Sequence, residues 1–374
     1  MNDMSHTHSS EVHAVRACYF EDGVDLIAIG GTHTVEVLLI TATSCHSVAT
    51  FEVGTRVTGL AWSPNTVSPS ANTEWVFELV AAGEEYSLFL LTKTSTNGEH
   101  VFVFGGGLSG HHGKINDITF CGGLKEYSTR YVATVSDDKN LMIWDLYPDR
   151  PSVSKRAEDK SLYQEVVMTD ENNRAIPTAI VITFKHRLTS ISAHPTASTE
   201  LLIADCRGNV YLTDWEASPE DQEDEWRNGS VVELLDPRTL ADTRKAFHGS
   251  AAWRWDSPDI VGALFGSRFS LWDLGITQGG KPRLAGVSFP EGGHLFRWCP
   301  THPEYFAISA ISPARGAVIN IHNTSYVSAA PVAFPLAARP WTVRSFDFIM
   351  SHGVPRIAAA VGREVIIFYI GVES

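Results

Sequence analysis

Hydrophobic and polar positions along the chain follow one repeating design. A run of alternating apolar and polar residues, often closed by proline, leads to a second run of small and apolar residues. A tight polar turn follows, and then a third run that often carries tryptophan. The clearest copy reads "INDITF", "YVATVSDD", "LMIWDL". Before it come "VRACYF", "LIAIGG", "TVEVLLI" and then "VTGLAWSP", "VFELVAAG", "YSLFLLT". After it come "LTSISAHP", "LLIADCRG", "VYLTDW"; "SAAWRWDSP", "IVGALFG", "FSLWDL"; "HLFRWCP", "YFAISAIS", "AVINIHN"; and "TVRSFDF", "RIAAAVG", "EVIIFYI". Period-two alternation and short apolar runs between turn residues predict strands. Between successive triplets lies one more candidate strand: "SVATFEV", "HVFVFGG", "TAIVITF", "TRKAFH", "RLAGVSF" and "PVAFPLA".

Seven triplets, each with a fourth strand, at a spacing of roughly 40 to 45 residues, match the arithmetic of WD40 repeats. The prediction is an all-β fold, a seven-bladed WD40 β-propeller with degenerate repeats. Seven units need about 280 to 315 residues, so the 374-residue chain must also hold insertions and tails. The expected organisation is a flexible polar N-terminus over 1–11 and a single propeller over 12–374, with polar insertions near 147–176 and 216–229. A shorter insertion, "NTVSPSANT", spans Asn65 to Thr73. Ring closure normally borrows a strand from the opposite terminus. The segment before Val12 is polar and poor in β-branched residues, so an incomplete outer strand in the last blade, or a seam covered by a partner, is expected.

Composition narrows the function classes. The chain is 44% hydrophobic and 19% charged, enough apolar material for a large core. No apolar run approaches the length of a membrane-spanning helix, and "MNDMSHTHSSEVHAV" has neither the basic nor the apolar region of a signal peptide. A nuclear or cytosolic location without membrane insertion is expected. Five scattered cysteines without a C-x-x-C pair read as buried thiols. A net charge of −14 opposes direct nucleic-acid binding. Nine acidic residues against two basic ones between Glu216 and Asp242 read as a solvated loop.

Candidate chemistry concentrates in the third unit, where "GHHG" precedes "YVATVSDDKNLMIWDL". Well-formed WD40 blades carry a hydrogen-bonded set of His, Ser/Thr, Asp and Trp, and by motif position the resemblance assigns these to His111, Thr134, Asp138 and Trp144. The rival reading is a Ser-His-Asp hydrolase with Ser136 as nucleophile and His111 or His112 as base. No G-x-S-x-G elbow or oxyanion loop accompanies these residues, so a structural joint is expected and no catalytic residue is assigned. Elsewhere the set is degenerate. Blade five has His248, Gly249 and Trp272 but Gly266 and Ser267 in the turn, and blade four ends in Asp214 and Trp215.

Other clusters read blandly. His6, His8 and His13, with His33, lack a recognised ligand spacing, so no metal site is expected. Gly105 to Gly107 form a turn, since "GGG" lacks the phosphate-loop signature. Trp253 and Trp255 alternate with Ala252 and Arg254, which places both on one core-facing side of a strand. Phe296 and Trp298 read as strand filling and core, with Arg297 paired or exposed. No cofactor or small-molecule substrate is expected.

"RVTGLAWSP" at Arg56 to Pro64, "INDITF" with "VATVSDD", "AAWRW" with "SLWDL", and above all "HLFRWCPTHPEYFA" at His294 to Ala307 carry a more specific likeness. In this order they resemble the nucleoporin 37 family, small WD40 proteins of the Y-shaped scaffold of the nuclear pore, over roughly Val12 to Val372. The long insertion after blade three suggests a fungal form. The resemblance implies a non-enzymatic scaffold subunit at the nuclear pore. Its implied partner is the large arm nucleoporin of the Y complex, nucleoporin 120 in fungi and 160 in animals, and transport of protein and mRNA is the process supported. Partner-binding residues are not assigned. The alternative is a WD40 adaptor or substrate receptor in a ubiquitin-ligase or chromatin complex.

Overall fold

A computed structural model describes residues 3–123, 128–148, 175–216, 231–241, 248–276, 280–350 and 353–371. They form seven four-stranded antiparallel sheets arranged as the blades of a propeller. The innermost strands are Ala14–Ala17, Val57–Trp62, Ile115–Phe120, Leu188–Ala193, Ser250–Trp253, Gly293–Trp298 and Ser345–Ile349. Six blades run from inner to outer strand in chain order. The core is divided into seven apolar clusters, each shared by two adjacent blades. This division explains why the second strands are apolar on both faces. Leu26–Gly30 and Arg356–Val361 are buried at every position because a blade is covered on each side by its neighbour.

The last blade corrects the expected seam. Its outermost strand is Met4–Thr7, which pairs antiparallel with Glu364–Tyr369 in the register Met4↔Ile367 to Thr7↔Glu364. The segment over 1–11 is therefore not simply a flexible tail. Its polar character is no obstacle, because an outer strand buries only alternate residues, here Met4 and His6 in part, and draws its hold from the backbone ladder. Past the strand, His8 N–H donates to the Arg363 carbonyl at 2.9 Å and Val12 N–H to Gly362 at 2.8 Å, which extends the clasp.

Blade four carries a second difference. Its outermost strand is Val231–Leu234, paired with Val210–Asp214, and of the expected strand "TRKAFH" only His248 lies within the described residues. Leu234 is buried among Leu202, Ala204 and Val210, which anchors this strand to the core. Of the two long insertions expected near 147–176 and 216–229, residues 149–174 and 217–229 lie outside the described residues; each insertion falls between the third and outermost strands of its blade. The short insertion of blade two folds back on the core. Thr66 donates its hydroxyl to the Glu78 carbonyl at 2.8 Å, and Ser68 N–H donates to the Asp22 carbonyl of blade one at 2.7 Å.

Gly105 shows why glycine starts the "GGG" turn. Its φ is 68°, and a Cβ there would lie 3.0 Å from the Trp144 ring. Trp253 and Trp255 do not share a face of one strand, because the strand ends at Trp253. Trp253 enters the core, whereas half-buried Trp255 packs edge-on against Tyr19 at 5.6 Å.

Candidate functional site

The structure brings His111, Thr134, Asp138 and Trp144 into one chain of hydrogen bonds. Trp144 Nε1–H donates to Thr134 Oγ1 at 3.0 Å, and the Thr134 hydroxyl sits 2.7 Å from His111 Nε2. His111 Nδ1 lies 2.9 Å from Asp138 Oδ2. One proton arrangement satisfies every member: the hydroxyl donates to Nε2 and a neutral imidazole donates from Nδ1 to the carboxylate. Local sequence builds this. "SDDKN" forms the turn, where Asp138 also accepts the backbone N–H groups of His112 and Asn140, and Thr134 and Trp144 lie on neighbouring strands.

Electrostatics agree with a neutral ring. Burial pushes the His111 pKa below its ordinary value, against the opposing pull of the Asp138 hydrogen bond. Burial works to raise the Asp138 pKa, but the His112 and Asn140 N–H groups and His111 outweigh it and hold the carboxyl below the usual range.

Thr134, His111 and Asp138 have the connectivity of a hydroxyl-imidazole-carboxylate relay, and burial decides against that use. Thr134 is 0% exposed, so no substrate atom can approach its hydroxyl. Ser136, the candidate nucleophile, is equally buried; it donates to the Gly113 carbonyl at 2.9 Å and accepts from Asp138 N–H at 3.1 Å. His112 contributes its backbone N–H to Asp138 while its side chain faces solvent.

The histidines at the N-terminus are also held by protein groups. His6 Nε2 lies 3.1 Å from Glu36 and His8 Nε2 lies 3.0 Å from Thr34 Oγ1, whereas His33 Nδ1 is 3.3 Å from the Gly54 carbonyl. Among the described residues no three His, Cys, Asp or Glu side chains gather as a metal site.

Sequence reasoning missed a belt of side chains that ties the innermost strands together. Asp117 in blade three takes the Arg16 guanidinium of blade one at 2.9 Å and the Ile191 N–H of blade four at 3.1 Å. Asp347 in blade seven takes Ala17 N–H at 3.1 Å and the Tyr19 hydroxyl at 2.5 Å, both from blade one. Ser345 and Ser190 accept Val15 N–H and Ala251 N–H, and Ser250 accepts Phe296 N–H. Trp62 and Trp298 donate their indole N–H groups to the Arg16 and Ala252 carbonyls of preceding blades. The signal was a small or acidic residue alternating with apolar ones in several first strands, as in "INDITF", "LTSISA" and "VRSFDF".

The belt surrounds the central channel. At one mouth the innermost strands and the turns after them enclose a cavity of about 180 Å³, lined by residues of all seven blades. Its lining includes the aromatic rings of Trp62, Trp253, Trp255, Trp298, Tyr19 and Phe120, together with Arg16 and Arg297. Toward the other end the His248 and His294 rings meet edge to face at 4.7 Å. Burial first, and then the His248 charge, push the His294 pKa down to about 3.

No protein-family model matches the chain. Among curated proteins it is 26% identical to Nucleoporin Nup37 of Mus musculus over 326 residues, which cover 84% of this chain and 82% of the relative. It is 24% identical to Nucleoporin Nup37 of Homo sapiens over the same length. The resemblance to the nucleoporin 37 family therefore extends over 84% of the chain.

Proposed function

We propose that the chain is a structural nucleoporin: a rigid propeller at the nuclear pore that holds other proteins and carries out no reaction of its own. The observation that carries this reading is the likeness to Nup37 over 326 residues. The His-Thr-Asp-Trp set of blade three is spent on internal hydrogen bonds, which agrees with it. Its place is the nucleus, at the nuclear pore, where it supports transport between nucleus and cytoplasm. The partner is the large arm nucleoporin of the Y-shaped scaffold complex, the class called nucleoporin 120 in fungi and 160 in animals. A scaffold of this kind binds through large surfaces with a few anchoring residues, so it needs no cleft of perturbed acids and bases.

Affinity purification of the tagged chain from nuclear-envelope extract tests the reading. Stoichiometric recovery of the large arm nucleoporin with the other Y-complex subunits is the expected result. Recovery of a cullin adaptor or a histone-modifying complex in their place would overturn it.

A further inference from the structure

The belt leaves one of its two guanidinium groups unserved. Arg16 is satisfied by Asp117 at 2.9 Å and by the Leu60 carbonyl at 3.2 Å. Arg297, on the innermost strand of blade six, donates only from Nη1 to the Phe296 carbonyl at 3.0 Å. Its Nε is sealed from solvent and has no hydrogen-bond partner among the described residues. The nearest carboxylate, Asp347, is 3.9 Å away and already committed to Ala17 N–H, Phe348 N–H and the Tyr19 hydroxyl. A largely buried cation with a sealed, unpartnered Nε and no direct carboxylate contact is a costly arrangement, and an anion within hydrogen-bond reach of its Nη groups would relieve it.

The surroundings of that cation define what it would accept. Arg297 borders the cavity of about 180 Å³ at the channel mouth, whose remaining wall combines aromatic rings with small aliphatic residues. Pockets for whole small molecules run to about 300–1,000 Å³, so this one suits a single side chain. Asp117 and Asp347 stand beside it and would repel a dianion, which favours a singly charged group. The chain's net charge of −14 weighs against long-range attraction of free anions and leaves the local Arg297 as the recognising element.

We propose that the channel mouth is a socket for the carboxylate of an acidic side chain on a protein segment, with Arg297 as its anchor and Trp62, Trp253 and Trp298 as its walls. The proposal rests on the preceding reading only in taking the occupant to be part of a protein. Burial already depresses the Arg297 pKa, with Arg16 adding to the effect, so a bound carboxylate would reverse an existing penalty.

The test is a titration of the full chain with a capped pentapeptide, acetyl-Gly-Leu-Glu-Leu-Gly-amide, followed by tryptophan fluorescence and saturation-transfer NMR. Its glutamine counterpart and free glutarate serve as the comparison ligands. The expected result is binding of the Glu peptide with at least tenfold preference over the Gln peptide and over glutarate, lost in Arg297→Met and partly restored in Arg297→Lys. Equal affinity for Glu and Gln peptides, or no detectable binding of either, would overturn the proposal. Glutarate binding as tightly as the peptide would also overturn it, in favour of a small-molecule site. The Glu/Gln comparison on the unaltered chain stands even where Arg297→Met fails to fold. No pore component enters the titration, so its failure would leave the nucleoporin reading intact, and failed co-purification would leave the socket intact.

Discussion

Thr134→Val isolates the hydrogen-bonded set of blade three. Valine matches threonine in shape, so no cavity opens, but two groups lose their partner at once. Trp144 Nε1–H loses its acceptor at 3.0 Å and His111 Nε2 loses its donor at 2.7 Å. Leaving a buried polar group unsatisfied costs about 1–3 kcal/mol each, so the single change should destabilise by roughly 2–6 kcal/mol. Trp144→Phe removes the indole N–H and part of a ring that is 2% exposed, which should cost about 2–3 kcal/mol by cavity formation and one lost bond. The double variant has no orphaned indole N–H, so it should be more stable than the sum of the singles by about 1–2 kcal/mol. The measurement is urea unfolding at pH 7.5 followed by circular dichroism, with fluorescence transitions checked for coincidence. Additivity within about 0.5 kcal/mol would refute the idea that these side chains act as a unit.

Four other outcomes follow from the same structure. Ser136→Ala should cost about 1 kcal/mol in the same unfolding assay, because its hydroxyl bridges Gly113 and Asp138; no measurable loss would contradict the geometry. Deleting residues 3–7 should lower the melting temperature and, by baring the Glu364–Tyr369 edge, cause self-association in size-exclusion chromatography; an unchanged monomer would count against the clasp. Asp117→Ala should destabilise by about 3–5 kcal/mol, since Arg16 keeps its charge but loses its hydrogen-bonded counterion; a change under about 1 kcal/mol would remove the belt from the account. Burial holds His322 at about 4 and His294 at about 3, below the roughly 6.5 of an unfolded histidine. The unfolded chain thus takes up protons first: the contribution is whole above about pH 6.5 and declines toward pH 4, by about 2 kcal/mol per residue at pH 5. His322→Phe should flatten that decline, and an unaltered pH profile would show that the burial does not control it.

Strands, turns and blade number were legible because they depend on neighbours in the chain. "YVATVSDDKNLMIWDL" displays its two strands and turn within sixteen residues, and the partners of Thr134 and Trp144 lie inside the same blade. Blade four was misread at its outer strand because an outer strand buries little and leaves a weak pattern; pairing with Val210–Asp214 and the burial of Leu234 identify Val231–Leu234 as that strand. Met4–Thr7 was misread for the same reason, with a ladder partner some 360 residues away in sequence.

By itself the sequence determined an all-β ring of seven units, the membership of the blade-three hydrogen-bonded set, and a likeness that runs through nearly the whole chain. Periodicity and turn chemistry encode such features locally. Only the tertiary structure decided which residues meet around the channel. Asp347 reaches Tyr19 and Asp117 reaches Arg16 because ring closure brings distant blades together. It also decided that Arg297 faces the cavity, that Phe296 enters the core, and that Trp298 is shared by both. Alternation along a strand separates its two sides, but what each side faces depends on the blades packed against it.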